Sequence, residues 1–169
     1  MIVIYDPACA EFGSPEQPEQ PARVLKTAEH LLATHPEWIW QLPGPAPEET
    51  ILLAHDAALL ARLRKPEEFD ADTPYFDHIL DHALRSVGGA LAALDHALAG
   101  RRAISLLRPP GHHATRNRAM GFCYLNQVAI AALEARRRGI ARVAVWDFDA
   151  HHGNGTEEIL AGAPGTLYV

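Results

Sequence analysis

The sequence predicts an α/β protein built in three layers, α/β/α, with a mostly parallel β-sheet between helices. Three observations carry this. Short apolar runs of strand length recur at residues 2–5, 103–107, 143–147 and 166–169. Segments with apolar residues at helical spacing separate them, the alternation that produces parallel sheets with crossover helices. Polar residues suited to chemistry follow two of the strands directly, where open α/β sheets place their sites.

Ile2-Val3-Ile4-Tyr5 has the composition of a buried strand. The proline-rich residues 15–21 read as a loop that delivers the chain to a helix. From Ala22 onward, Val24, Leu25, Ala28, Leu31 and Leu32 form its apolar face. His35-Pro36 ends that helix, because a residue before proline avoids helical backbone. Trp38-Ile39-Trp40 reads as a strand or a packed loop, and Pro43-Gly44-Pro45-Ala46-Pro47 as a turn-rich linker. No separate core follows the linker, so residues 1–169 are expected to contain no internal domain boundary. Residues 51–54 read as another short strand, and residues 56–63 as a short helix with Asp56 as N-cap.

Residues 69–74 are acidic and turn-like. A long helix is predicted over 76–99, with Leu80, Leu84, Val87, Leu91, Leu94 and Leu98 as its core stripe and Gly100 as its stop. His78 and His82 have zinc-like spacing on this helix, but they sit beside Asp77 and Asp81, away from the leucines. A solvated polar face is therefore expected there. After the strand at 103–107 comes a constrained loop, Arg108-Pro109-Pro110-Gly111-His112-His113. A helix over 124–138 turns Val128, Ala129, Ala132 and Leu133 inward. Its Arg136-Arg137-Arg138-Gly139 ending suits a helix C-terminus, where cations meet the dipole, rather than a nucleic-acid surface. Residues 143–146 read as a buried strand, a short helix begins at Thr156, and residues 166–169 read as a last strand.

The net charge of −6 argues against nucleic acid as the main partner. The two cysteines, Cys9 and Cys123, form neither a disulfide framework nor a cysteine-rich zinc site, which fits a reducing, cytoplasmic setting. The N-terminal run is too short for a signal peptide, and no segment has the apolar length of a membrane span.

Two motifs carry the chemistry. In Asp147-Phe148-Asp149-Ala150-His151, alternate positions share one face of an extended chain. Asp149 and His151 are the best metal-ligand pair, of a kind that suits zinc, and Asp147 is either a third ligand or an outer partner. On the other loop, Pro109-Pro110-Gly111 fixes the direction of His112 and His113, residues suited to general acid and base work. Facing a metal across parallel strand ends, the pair describes a metal-assisted hydrolase.

Arg108-Pro-Pro-Gly-His-His-Ala114, Gly121-Phe-Cys-Tyr-Leu-Asn126 and Asp147-Phe-Asp-Ala-His-His-Gly-Asn-Gly-Thr156 together resemble the histone deacetylase family, including its bacterial members and the acetylpolyamine amidohydrolases. The Gly-Asn-Gly wording is closer to the class II branch. Pro18-Glu-Gln-Pro-Ala-Arg23 resembles an early family motif, from which Gln17 departs where the family has histidine, and Ala71-Asp-Thr73 resembles a segment at the pocket rim.

The resemblance implies an arginase/deacetylase-like fold and a zinc-dependent amidohydrolase that removes acyl groups from lysine side chains or polyamines. It implies Asp149 and His151 as two of three zinc ligands, His112 and His113 as the catalytic histidines, and Asp147 and Asn154 as the groups behind them. Phe122 and Gly121 would line the channel for the substrate stem, Asp72 would be a rim acid, and Asp147 would also belong to a structural potassium site. The family's third zinc ligand and its oxyanion-assisting tyrosine or histidine would lie beyond Val169, so the chain is expected to be the N-terminal part of one catalytic domain. Two rivals stand beside this reading. One is an inactive metal-binding half-domain or acyl-binding module. The other is an arginase-like dimetal hydrolase, opposed by the absence of a Gly-Gly-Asp-His motif and by the histidine pair after Pro-Pro-Gly.

Overall fold

The computed structural model describes every residue except Pro45, so that part of the predicted linker lies outside the described residues. Strand β1 (Ile2–Ile4) is buried along its whole length and sits between two parallel neighbours, β2 (Ile39–Gln41) and β3 (Ala103–Ser105). Strands β4 (Val143–Val145) and β5 (Thr166–Tyr168) form a second parallel pair. The pairings between these five strands are all parallel, as the alternation of strand and helix requires, and the antiparallel bridges Asp70–Thr73 and Met120–Cys123 are isolated ones within turns. No helix among them is long and apolar enough to cross a membrane.

The helices are α1 (Ala22–Thr34), α2 (Glu48–Ile51), α3 (Ala57–Leu63), α4 (Ile79–Leu98), α5 (Gln127–Arg137) and α6 (Asn154–Leu160), with a 3₁₀ turn at Pro7–Ala10. Helix α4 packs on β1, β3 and α5, while α5 and α6 cover the inner face of β4 and β5. The core joins Ile51, Leu59, Leu60 and Leu63 to Ile79, Val87, Leu91, Ile130, Ile159 and Leu160.

Several expectations need correction. Residues 51–54 are not a strand: Thr50 and Ile51 are buried by a single helical turn whose first residues, Glu48 and Glu49, suit the positive end of the dipole. On α1 only Val24 and Ala28 are buried, while Leu25 and Leu32 face solvent, because the helix packs through a stripe narrower than its apolar face. On α5, Val128 is exposed, and Ala129, Ile130 and Ala132 pack inward. Helix α4 starts at Ile79, after His78 in left-handed backbone, and Leu98 is exposed. Its buried arc runs through Ala83, Ser86, Gly88 and Gly89, small residues that a pattern of large apolar side chains does not reveal.

His78 is solvated as expected, but His82 is buried, its ring 4.7 Å from that of Phe12, because the arm after the 3₁₀ turn folds over this face of α4. The strand at 143–146 is half-buried rather than buried. Val143 and Val145 pack against the core, whereas Trp146 and Phe148 are 76% and 84% exposed, with Leu167 exposed beside them.

At Gly89 a Cβ would overlap the side chains of Leu107 and Ser105, so glycine lets α4 lie directly on the end of β3. Gly89→Ala is expected to lower stability by about 1–3 kcal/mol through overpacking. A reduced urea midpoint at unchanged slope checks this.

Candidate active site

The loop after β3 carries His112 and His113, and the segment after β4 carries Asp147, Asp149 and His151; both leave the carboxyl ends of parallel strands. Ser86 on α4 donates to the Pro109 carbonyl at 3.0 Å. The amides of Gly155 and Thr156, in the first turn of α6, both donate to the carbonyl of His112 at 2.9 and 3.0 Å. The histidine loop is thus held from both sides.

Each histidine has its own partner. Nδ1 of His112 lies 2.9 Å from Oδ2 of Asp147, and Nδ1 of His113 lies 2.7 Å from Oδ1 of Asn154. A carboxylate or amide oxygen only accepts, so each ring donates its Nδ1–H and leaves Nε2 as its second nitrogen. The two rings are 4.1 Å apart, and His113 is 6.1 Å from His151.

Asp149 and His151 converge as a donor pair. Oδ1 of Asp149 accepts from the His151 amide at 2.9 Å and lies 3.0 Å from its Nδ1. The His151 amide, aided by the ring, holds the Asp149 carboxyl below the usual carboxylate range. Tetrahedral zinc with ligands at about 2.0–2.1 Å sets neighbouring donor atoms roughly 3.3 Å apart, so this pair fits two corners of such a site. Among the described residues no group of three or more His, Cys, Asp and Glu side chains converges as a metal cage.

A cavity of about 780 Å³ brings the motifs together. His112, His113, Gly121, Phe122, Asp147, Asp149 and His151 line it, and Asp72 stands at its edge on an exposed turn. Asn154 does not line it and sits behind the His113 ring. Gly121 and Phe122 both have left-handed backbone, φ 57° and 65°. For Phe122 this costs roughly 1–2 kcal/mol, and its amide is fixed by the buried Thr73 hydroxyl at 3.0 Å. A Cβ at Gly121 would meet the His113 ring at 2.6 Å, so glycine is required by that close approach.

Some supporting residues were not foreseen. Tyr168 accepts from the Gly153 amide at 2.9 Å and lies 3.3 Å from Oδ2 of Asp147, placing a hydroxyl behind the His112 partner. Its pairing with Val145 in the parallel register puts it two residues from Asp147, a signal available once the register is known. His55 is a second such residue. Its Nε2 accepts from the Asn126 amide at 2.8 Å, so its Nδ1–H donates to the Thr115 carbonyl at 2.9 Å. Asn126 in turn caps α5 through Ala129 and donates to the Ala114 carbonyl and the Thr156 hydroxyl. This buried network ties the exit of the histidine loop to the starts of α5 and α6.

Burial pushes the His55 imidazole down to about 4. The folded protein therefore keeps His55 neutral where an unfolded chain, with a value near 6.5, takes up a proton. Stability from this site is complete above about pH 6.5 and is lost as pH falls to about 4, by about 3 kcal/mol in all. Denaturant unfolding across that range should show this slope, and His55→Gln should flatten it.

Fold and site together define an α/β protein with a paired-histidine, aspartate–histidine centre at its strand ends. The histone deacetylase domain profile matches residues 14–169. The chain is 43% identical to a protein of Synechocystis sp. named "Uncharacterized protein slr0245", across 99% of this chain and 60% of that one. It is 38% identical to a histone deacetylase-like amidohydrolase of Pseudomonas aeruginosa, across 92% of this chain and 42% of the other. The crystal structure of the HDA15 HD domain superposes with a TM-score of 0.91 at 28% identity, covering 99% of this chain and 51% of that one. The chain belongs to the histone deacetylase family and has the deacetylase fold, and it spans about half the length of these relatives.

Proposed function

We propose that the protein is a zinc-dependent amidohydrolase that removes acetyl or other acyl groups from lysine side chains or from acylated polyamines. The observation that carries this reading is the meeting of two hydrogen-bonded histidine pairs, His112–Asp147 and His113–Asn154, with the Asp149–His151 donor pair in one cavity. Residues 1–169 are read as one part of a single catalytic domain.

Asp149 and His151 would hold the zinc ion, together with a ligand from outside these residues. Bound there, zinc supplies Lewis acidity toward a carbonyl oxygen and toward water. His112 takes the proton of the attacking water on Nε2, and the Asp147 carboxylate orients the ring and balances the charge that arrives. His113, entering the step as the imidazolium, hands its Nε2 proton to the departing amine while the Asn154 oxygen keeps its Nδ1–H; the proton taken up by His112 passes to solvent as the products leave. Acetate, or the corresponding acid, and a free amine result. Phe122 and Gly121 flank the stem of the acylated amine, and Asp72 at the rim accepts hydrogen bonds from substrate. Asp147 and the main chain of Asp149 and His151 are assigned to the potassium ion that the family resemblance implies.

A substrate panel tests this. The protein at its natural length, loaded with zinc, is expected to release acid from an acetyl-lysine peptide or from an acetylated polyamine. The ratio of kcat/KM between the two identifies the substrate class. Zinc binding with no hydrolysis of either would favour the acyl-binding module.

A further inference from the structure

Arg108 stands four residues ahead of His112 and is linked through a cis peptide to Pro109. It is 2% exposed, and its partner Glu19 is 5% exposed. The contact is a two-point fork: Nε lies 2.7 Å from Oε1 and Nη2 lies 2.6 Å from Oε2. Nη1 donates to the carbonyls of Cys9 and Phe12 at 2.9 and 3.1 Å, and the guanidinium lies 4.2 Å above the Phe12 ring. Glu19 itself belongs to the cavity wall, with Pro18 and Arg23.

A buried ion pair is a poor source of net stability, because desolvation of the two charges offsets their attraction; an apolar pair of similar volume would hold the same segments together. What the fork adds is direction. Its planar geometry fixes the guanidinium and with it the start of the loop that ends in the two histidines. We propose that Arg108 and Glu19 are the positioning pair of the site. They lock the histidine loop to the 18–23 wall, so that His112 and His113 keep Asp147 and Asn154 as partners. The kinetic consequence rests on the amidohydrolase reading, whereas the effect on ring order does not.

The test uses the protein at its natural length with zinc bound. Glu19→Gln removes one charge at constant shape. Arg108→Met combined with Glu19→Met removes both, and the desolvation argument predicts that this double variant folds. It is expected to melt below the parent, because the Cys9 and Phe12 carbonyls lose their donor, but to remain folded and to lose about tenfold or more in kcat with KM changed less than about threefold. Independently of activity, long-range ¹H–¹⁵N NMR reads the histidine rings. The His112 and His113 signals should broaden or split in the double variant, while those of His55 stay unchanged.

If the double variant does not fold, the same signals are read in Glu19→Gln. Unaltered His112 and His113 signals in a folded variant overturn the inference, whatever the assay shows. A parent protein that hydrolyses no acylated amine counts against the amidohydrolase reading, and the ring signals still decide the role of the pair.

Discussion

Alanine in place of His113 is expected to lower kcat for amide hydrolysis by about 10²–10⁴-fold, the range for loss of a positioned proton-transfer group. The zinc content of the protein should not change. The ring sits 2.7 Å from Asn154 and 6.1 Å from the His151 ring, so it lies near the donor pair without being part of it. Steady-state kinetics and metal analysis on one preparation check both halves of this expectation. A drop in KM alone, or loss of zinc together with activity, would place His113 in a different role. His112→Ala should also impair hydrolysis with zinc retained, and Asp147→Asn should weaken it less, because the ring remains while its oriented partner changes.

The second large effect concerns Asp149 and His151. Removing either takes away one of the two donors that the described residues bring together, 3.0 Å apart. Asp149→Ala and His151→Ala should each weaken zinc binding by more than the roughly 10–100-fold that follows loss of an outer partner, and hydrolysis should disappear with the metal. Competition with a chelator of known affinity measures this directly. Because His151 is largely exposed, the substitution should leave the melting temperature of the metal-free protein close to that of the parent. Equal zinc affinity in the His151→Ala variant would remove that residue from the ligand set.

Much of this site was legible in the sequence because its parts are local. Asp147, Asp149 and His151 follow β4 directly, as their spacing suggests, but the chain bends at residues 149–151 and the Asp147 and Asp149 carboxylates accept from amides two residues on, so turns rather than strand alternation bring them together. Pro109-Pro110-Gly111 announces a loop that aims its histidines. Parallel topology then supplies the juxtaposition of the two strand ends. What could not be read depends on contacts distant in sequence. Arg108 and Glu19 are 89 residues apart and meet only because the N-terminal arm wraps around the histidine loop. His82 has the neighbours of a surface histidine along its own helix, and its burial comes from Phe12 on another segment. The short α2 looked like a strand because a run of Ile51, Leu52 and Leu53 has no period of its own, and the acidic residues before it were the better guide. The inward face of α4 escaped because it is built from glycine, serine and alanine, which pack by closeness rather than bulk.

Burial of His55 and the fork at Arg108 give the site one common physical basis. The histidine loop is held at its entry by a charged pair and at its exit by a neutral hydrogen-bonded network. Acid acts on the second of these: stability falls as pH drops from about 6.5 to about 4, while the folded protein keeps His55 neutral, and with it the network, until pH approaches about 4.

Zinc dependence of hydrolysis is the most direct test of the central claim. Metal-free protein at its natural length would be titrated with zinc while acetate release from an acetyl-lysine peptide and from an acetylated polyamine is followed. Activity on at least one substrate should rise in proportion to zinc, level off at one equivalent, and fall by about 10²–10⁴-fold in the His113→Ala variant at the same zinc content. A protein that takes up its zinc and releases no acid from either substrate, or hydrolyses them equally well without metal, would contradict the account.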